Sequence, residues 1–255
     1  MYKTLGVVEA LPSLVDGQSS LLRSIGKRRF AGKSLLEWIV RHATESHFLD
    51  RVVVLAGNDP VARSLAEVAP PDVTVYGCSA GDPLSRLAAT ATRFPAESIV
   101  RLSVSQPFVD ADLIDRLIST AESDPATDYV SFAHADGRPA ITTGTGVAAE
   151  WINVTALLEA DRDADQPLDR QHPSRYLYRH PGHFHVRMLP LPKLLDRDDL
   201  RLAIQDELDW EFVQMLIDAL GPDSLDWRVV ASLLDRHPSL CQQMAARNFE
   251  LAMQE

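Results

Sequence analysis

Short β-branched runs alternate with helically spaced apolar residues through the first half of the chain. Thr4 to Glu9 (TLGVVE), Arg51 to Ala56 (RVVVLA), Val73 to Tyr76 and Ser98 to Leu102 are brief apolar runs, the signature of strands buried on both faces. Between them apolar side chains recur three and four residues apart: Leu35, Leu36, Ile39, Val40 and Ala43; Leu84, Leu87, Ala88 and Ala91; Leu113, Ile114, Leu117, Ile118 and Ala121. That spacing predicts helices, and the alternation predicts an α/β fold with a mostly parallel sheet and helices on both faces. Asp82-Pro83 marks one helix start as an N-cap followed by proline at the first helical position, and Asn58-Asp59-Pro60 repeats the signal one unit earlier.

The alternation breaks at Gly137 to Gly146 (GRPAITTGTG). Beyond it the pattern predicts a strand at Glu150 to Val154, a helix near Thr155 to Ala160 and a segment rich in His, Tyr and Arg. The sheet is expected to resume with Phe184 to Leu189 and Leu200 to Ile204. An amphipathic helix carrying Phe212, Val213, Leu216, Ala219 and Leu220 follows, closed by Gly221-Pro222. Asp226 to Arg236 and Ser239 to Met253 read as two terminal helices. The expected organisation is one domain over 1–225 with an insertion at about 137–190, and a helical extension over 226–255.

Composition narrows the partners. The 255 residues can bury a full core without disulfide or structural metal. Cys78 and Cys241 are far apart with no CxxC, against a zinc ribbon or a thioredoxin-type site. A formal charge of −11 and a pI near 5.2 disfavour nucleic acid and favour a small substrate. No apolar run approaches the roughly 18 residues of a membrane span, and Met1 to Thr4 opens no signal peptide, so a cytoplasmic protein is expected.

Three patterns carry candidate chemistry. Gly77-Cys78-Ser79-Ala80-Gly81 matches GxSxG between a strand and a helix, which would make Ser79 the nucleophile of a serine hydrolase. Against it, Asp82-Pro83 starts the helix several residues too late for a nucleophile elbow. Gly26 to Ser34 (GKRRFAGKS) has five residues rather than four between Gly26 and Gly32-Lys33-Ser34, so it is no Walker A loop. It does gather Lys27, Arg28, Arg29 and Lys33 at a helix start, an arrangement suited to a polyphosphate, with a solvated basic loop as the plain alternative. His172, His180, His183 and His185 could suggest zinc, but no cysteine or carboxylate stands at ligand spacing, and ordinary histidines are the plainer reading.

Four segments in order resemble the cytidylyltransferases that make CMP-activated sugars, the group of CMP-KDO and CMP-sialic acid synthetases, and most of all their spore-coat-polysaccharide branch. They are Arg29-Phe30-Ala31-Gly32-Lys33 with Leu35 to Trp38; Gly81 to Arg86 (GDPLSR); Val100 to Ile114 (VRLSVSQPFVDADLI); and Leu200 to Asp209 (LRLAIQDELD). Glu150-Trp151 to Tyr178 is similar to the family's insertion. The resemblance implies a Rossmann-like nucleotidyltransferase (GT-A-like) fold, a dimerising insertion and hence a homodimer, and transfer of CMP from CTP to a sugar or sugar acid. It implies Lys33 on the CTP phosphates with Arg29 in support, Ala10 and Leu11 on the loop that wraps the nucleotide, and Ser79 and Arg86 bordering cytosine and ribose. Glu150, His172 and Tyr176 would face the sugar or the dimer partner.

It also implies Mg²⁺ held by two aspartates, since hard cations take carboxylate oxygens. Here Ser105 and Gln205 stand at those positions, with Asp206 adjacent and Asp110 as another substitute. The segment ahead of Arg29 is diverged, with an extra stretch at Asp16 to Arg23. A second reading therefore accompanies CMP transfer: a non-catalytic homologue that keeps the fold as a nucleotide-binding or dimeric interaction protein.

Overall fold

The computed structural model describes residues 1–10, 25–58, 60–221 and 225–253. Its main sheet has seven strands in the order β5-β4-β1-β6-β8-β7-β9. The strands are β1 (Tyr2–Glu9), β4 (Arg51–Gly57), β5 (Thr74–Cys78), β6 (Ala96–Ser103), β7 (Tyr129–Ala133), β8 (Glu150–Asn153) and β9 (Val186–Pro190). A separate hairpin pairs β2 (Arg29–Phe30) with β3 (Lys33–Ser34). Pairing is parallel for β1 with β4 and β6, β4 with β5, and β7 with β9; β8 runs antiparallel to both β6 and β7. The sheet is thus mostly parallel and Rossmann-like.

Alternate residues of the central strands go to opposite cores, as two covered faces require. On one face Val8, Val54, Val100 and Leu102 pack with α1 (Leu35–Ala43) and α4 (Ala111–Glu122). On the other Leu5, Val7, Val53 and Ile99 pack with α3 (Pro83–Arg93) and α5 (Val154–Asp163). The short α2 (Pro60–Leu65) follows β4, and α6 (Pro167–Gln171) and α7 (Arg175–Arg179) follow α5. Then come α8 (Glu207–Leu220), α9 (Trp227–Leu234) and α10 (Pro238–Ala252). Through Phe212, Leu216, Trp227, Leu234 and Met244 these last three join the α1/α4 core.

Asp82 caps α3 as its sequence signal predicts, accepting from Ser85 N–H at 2.9 Å, and Pro83 occupies the first turn. Gly221 ends α8 at φ 75°. Asp59, Pro222 and the Asp16 to Arg23 stretch lie outside the described residues. Two assignments need correction. Tyr129–Ala133 is a fully buried strand that the sequence pattern did not single out, and Leu200 to Ile204 is no strand. The latter reads as one because it is apolar and buried. Its backbone instead bonds loops: Leu202 and Ala203 N–H both reach Gly144 O (2.6 and 3.0 Å), and Ile204 N–H reaches Ser105 O (2.9 Å). His183 and His185 precede β9 and share no strand face.

Residues 137–190 contain β8, a strand of the main sheet, together with α5, α6 and α7. Where this stretch passes beneath 200–204, Gly146 takes φ +74°, and a Cβ there would stand 2.4 Å from Leu202 C and Cβ. Gly146→Ala is therefore expected to lower folding stability by more than about 2 kcal/mol, adding a backbone clash to left-handed strain. Gly137 has φ +90° with open space around it, and Gly137→Ala should show only the strain, about 1–2 kcal/mol. Urea unfolding of the pair measures the difference.

Candidate functional site

The parallel strands β1, β4, β5 and β6 all end at one edge, and open α/β sheets bind ligands in the crevice outside their carboxyl ends. Glu9-Ala10, Asn58, Ser79 and Ser103 to Ser105 lie there. Ala10 N–H bonds Leu55 O at 2.9 Å and Val104 N–H bonds Glu9 O at 3.0 Å, which ties the strand ends together.

The β2–β3 hairpin is fastened to this edge. Ala31 (φ 50°) and Gly32 (φ 83°) form its tight turn, a left-handed pair suited to a two-residue hairpin loop. Phe30 is buried against Trp38 and Phe108, with ring centroids 5.0 and 6.0 Å away, and Trp38 Nε1 donates to Pro107 O at 3.0 Å. The hairpin thereby sits on the loop after β6 and leaves Arg29 and Lys33 exposed at the rim. Arg29 Nη1 donates to Gly32 O at 2.7 Å, bracing the turn. Arg28 pairs with Glu207 at 2.8 Å and lies over the Trp210 ring. Among the described residues Lys33 has no carboxylate partner. The start of α1 does not serve as the expected anion site. Leu35 N–H bonds Arg28 O at 2.8 Å, Glu37 N–H bonds Ser34 Oγ at 2.9 Å, and Leu35 and Leu36 are fully buried.

Ile204 N–H donates to Ser105 O at 2.9 Å, which brings the segments carrying Ser105 and Gln205 together. Neither is arranged for Mg²⁺. Ser105 Oγ shares a hydrogen bond with Ser103 Oγ at 2.8 Å, and Gln205 Oε1 accepts from Arg201 Nη2 at 3.0 Å. The adjacent carboxylates are committed elsewhere. Asp206 caps α8 through Asp209 N–H (3.0 Å) and pairs with Arg247. Burial pushes the Asp206 carboxyl up, but these two partners outweigh it and hold the group below its usual value. Asp209 is fully buried on Arg201 (2.5 and 2.7 Å). Asp110 caps α4 and accepts from Trp227 Nε1 and Arg228 at 2.9 and 3.2 Å. Among the described residues no group of three His, Cys, Asp or Glu could hold a metal. These residues do not fit a protein-held Mg²⁺, and the histidine segment gives no zinc site: His183 Nε2 bonds Glu159 at 2.7 Å and His180 Nδ1 bonds Tyr176 O at 2.7 Å.

A buried ionic row behind the edge escaped the sequence reading. Arg101 donates from Nε to Glu9 (2.6 Å) and from Nη1 to Glu150 (2.5 Å), while Tyr129 OH donates to the other oxygen of Glu150. Glu150, expected to face sugar or a partner chain, is 0% exposed and does neither directly. Burial pushes the Glu9 carboxyl up against the pull of Arg101; burial and Glu150 push the Tyr129 hydroxyl well up, and Tyr178 up to about 12. The available signal was a charge inside an apolar run, Arg in SIVRL and Glu closing TLGVVE.

Ser79 is exposed and accepts from Asn58 Nδ2 at 3.0 Å, linking the ends of β4 and β5. The cap at Asp82 leaves it outside the helix, so the GxSxG match does not form a nucleophile elbow. Arg86 lies in the first turns of α3, within electrostatic reach of Glu9. Arg170 joins α6 to this end of α3 through Asp82 (3.0 Å) and to α5 through Asp161 (2.7 Å). His172 is exposed where α6 ends, and Tyr176 on α7 stacks 4.2 Å from His180, half-buried and away from the hairpin's partners. Ala10 is buried, and Leu11 lies outside the described residues.

The raised Glu9 pKa has a signed consequence. An acid that holds its proton more tightly when folded loses stability as pH rises through its folded pKa. Glu9→Gln removes that loss, so the variant should gain on the parent as pH climbs above 4.5, the ordinary value for this group. Urea unfolding of both proteins from about pH 4 to about pH 8 reads the effect. A pH-independent difference would mean that Glu9 titrates alike in the folded and unfolded states, and a variant that loses on the parent as pH rises would mean that Arg101 holds Glu9 ionised.

Comparison with known proteins matches this architecture. The chain is 24% identical to the spore coat polysaccharide biosynthesis protein SpsF of Bacillus subtilis, over 96% of this chain and 100% of that one. A cytidylyltransferase from Leptospira borgpetersenii superposes with a TM-score of 0.77 at 21% identity, covering 94% and 96% of the two chains. A CMP:2-keto-3-deoxy-manno-octonic acid synthetase solved with CTP gives 0.61 at 11% identity, over 85% and 99%. Rv0371c of Mycobacterium tuberculosis, solved in complex with manganese, gives 0.57 at 19%, over 83% and 97%. The family model for the MobA-like NTP transferase domain matches residues 26–206, most of the chain, and this protein belongs to that family.

Proposed function

We propose that this chain binds CTP at the carboxyl edge of the sheet and transfers CMP to a sugar or sugar acid in the cytoplasm. The observation that carries this reading is the position of the hairpin: it holds Lys33, an exposed cation without a carboxylate partner among the described residues, beside the loop after β6. In the reaction a sugar hydroxyl oxygen bonds the α-phosphorus, the bond to the bridging oxygen breaks, and pyrophosphate leaves with that electron pair while the hydroxyl proton is released. Charge on the phosphates must be met throughout. Lys33 meets it on the outer phosphates, and Arg29 braces the turn that presents Lys33. Ser79 and Arg86, at the end of β5, take the base and ribose, with Ala10 and Leu11 in the wrapping segment. His172 and Tyr176 belong to the acceptor side, and Glu150 acts only through Arg101. The described side chains add no carboxylate for Mg²⁺.

That last point favours a second reading, a homologue that retains nucleotide and does not turn it over. One set of measurements separates the two. CTP should raise the melting temperature more than UTP, ATP or GTP does, and Lys33→Ala should weaken CTP binding by roughly 1.5–3 kcal/mol with the fold intact. Pyrophosphate release with sugar acids should run below about 1 s⁻¹, and Ser105→Asp with Gln205→Asp should raise it in Mg²⁺. Release at an ordinary rate by the parent would mean another carboxylate serves the metal. CTP binding with no release from the parent or the double variant would support the non-catalytic homologue.

The same reading includes a twofold homodimer formed through the stretch after Gly137. Exposed Leu158, Leu168 and Met188 on α5, α6 and the edge strand β9 supply the apolar surface such an interface uses. Light scattering should give twice the chain mass, and Leu168→Asp should shift it toward the monomer. A monomer at micromolar concentration would refute the dimer.

A further inference from the structure

The far edge of the sheet, where the strands begin, carries a cavity of about 540 Å³. Tyr2 opens β1, Arg51 opens β4, Thr74 opens β5, and Arg93 and Phe94 close α3, so these residues meet roughly one strand length, about 23 Å, from the nucleotide edge. Its volume falls in the range of small-molecule sites, about 300–1,000 Å³, and exceeds what a bare inorganic anion fills.

Two guanidinium groups line it, and no acidic residue does. Arg51 donates to two neutral oxygens, Tyr2 OH at 2.8 Å and Thr74 Oγ1 at 2.7 Å. Arg93 has no hydrogen bond or ion pair to a carboxylate among the described residues; its guanidinium lies over the Phe94 ring, 5.4 Å away. Arg51 lies 5.8 Å from that same ring and 5.9 Å from the ring of Tyr2. Many of the chain's other arginines meet acids, as at Arg41, Arg101, Arg138, Arg170, Arg197, Arg201, Arg228 and Arg247. Two like charges over one phenyl ring in a strongly acidic protein are held there by aromatic faces and hydroxyls, which stabilise cations without neutralising them. Tyr76, set edge-to-face on Phe94 at 5.6 Å, extends the aromatic wall.

We propose that this cavity is a second ligand site for an anion bearing a flat ring, of the nucleoside monophosphate class. The phosphate lies with Arg51 and Arg93, which offer the charged donors that phosphate prefers, and the base lies on the aromatic wall. The site is separate from the nucleotide edge and stands whether or not that edge is catalytic.

Titration calorimetry with CMP and with inorganic phosphate tests it. In an Arg86→Ala background, which weakens the ribose contact of the first site, CMP should still bind at one site. Adding Arg93→Glu should weaken that binding at least tenfold, and Arg93→Lys should restore part of it. Arg93 is exposed, so its replacement leaves the fold intact, as circular dichroism would verify. Phosphate should bind the same site more weakly than CMP and be lost with Arg93→Glu. The proposal is overturned if Arg93→Glu leaves CMP binding unchanged, or if Arg86→Ala alone abolishes it. Phosphate binding as tightly as CMP would overturn the part played by the ring.

Discussion

A single guanidinium shared by two buried carboxylates sets the conditions for the rest of this molecule. Glu9, Arg101, Glu150 and Tyr129 come from β1, β6, β8 and β7, four neighbouring strands, and all point to the face covered by α3 and α5. An unpaired ion in that position would cost several kcal/mol, so the row exists only while all its members are in register. A slip of one residue in β6 would turn Arg101 to the opposite core and leave two carboxylates facing apolar side chains. The row therefore fixes the point where β8 enters antiparallel in an otherwise mostly parallel sheet.

Everything at the nucleotide edge hangs from strands aligned in this way. Ser103 to Ser105 leave β6 directly beyond Arg101, and the 200–204 segment is laid against Ser105 by hydrogen bonds to Ser105 and Gly144. Gly146 permits that approach because it has no Cβ. The result brings the segments carrying Ser105 and Gln205 together. The acidic groups nearby are nevertheless used as caps and ion-pair partners of Arg201, Arg228 and Arg247.

The electrostatics have the same logic at both ends of the sheet. With a charge of −11, the chain has enough acids to neutralise most of its arginines, and within the fold it largely does so. Cations left beside neutral partners are then the exceptions that attract anions, since their field is not cancelled within a Debye length of about 8 Å. Lys33 at the carboxyl edge and the Arg51/Arg93 pair at the amino edge are such exceptions.

Much of this was legible in the sequence. The strand and helix periods gave β1, β4, β5, β6, α1, α3 and α4, because burial on both faces and amphipathic helices leave local patterns, and Asp82-Pro83 marked its cap because capping is local chemistry. The basic cluster and the order of four motifs pointed to the family. Tertiary structure alone decided the rest. Leu200 to Ile204 looks like a strand because burial imposes the same composition whether the backbone partners are strands or loops. Only the paths of Gly144 and Ser105 show which they are. The partners of Arg101 and of Asp206 are likewise contributed by distant segments, Glu9 and Glu150 in one case and Arg247 in the other. A charge shows in the sequence, but whether it is free to meet a ligand depends on which opposite charge the fold brings beside it.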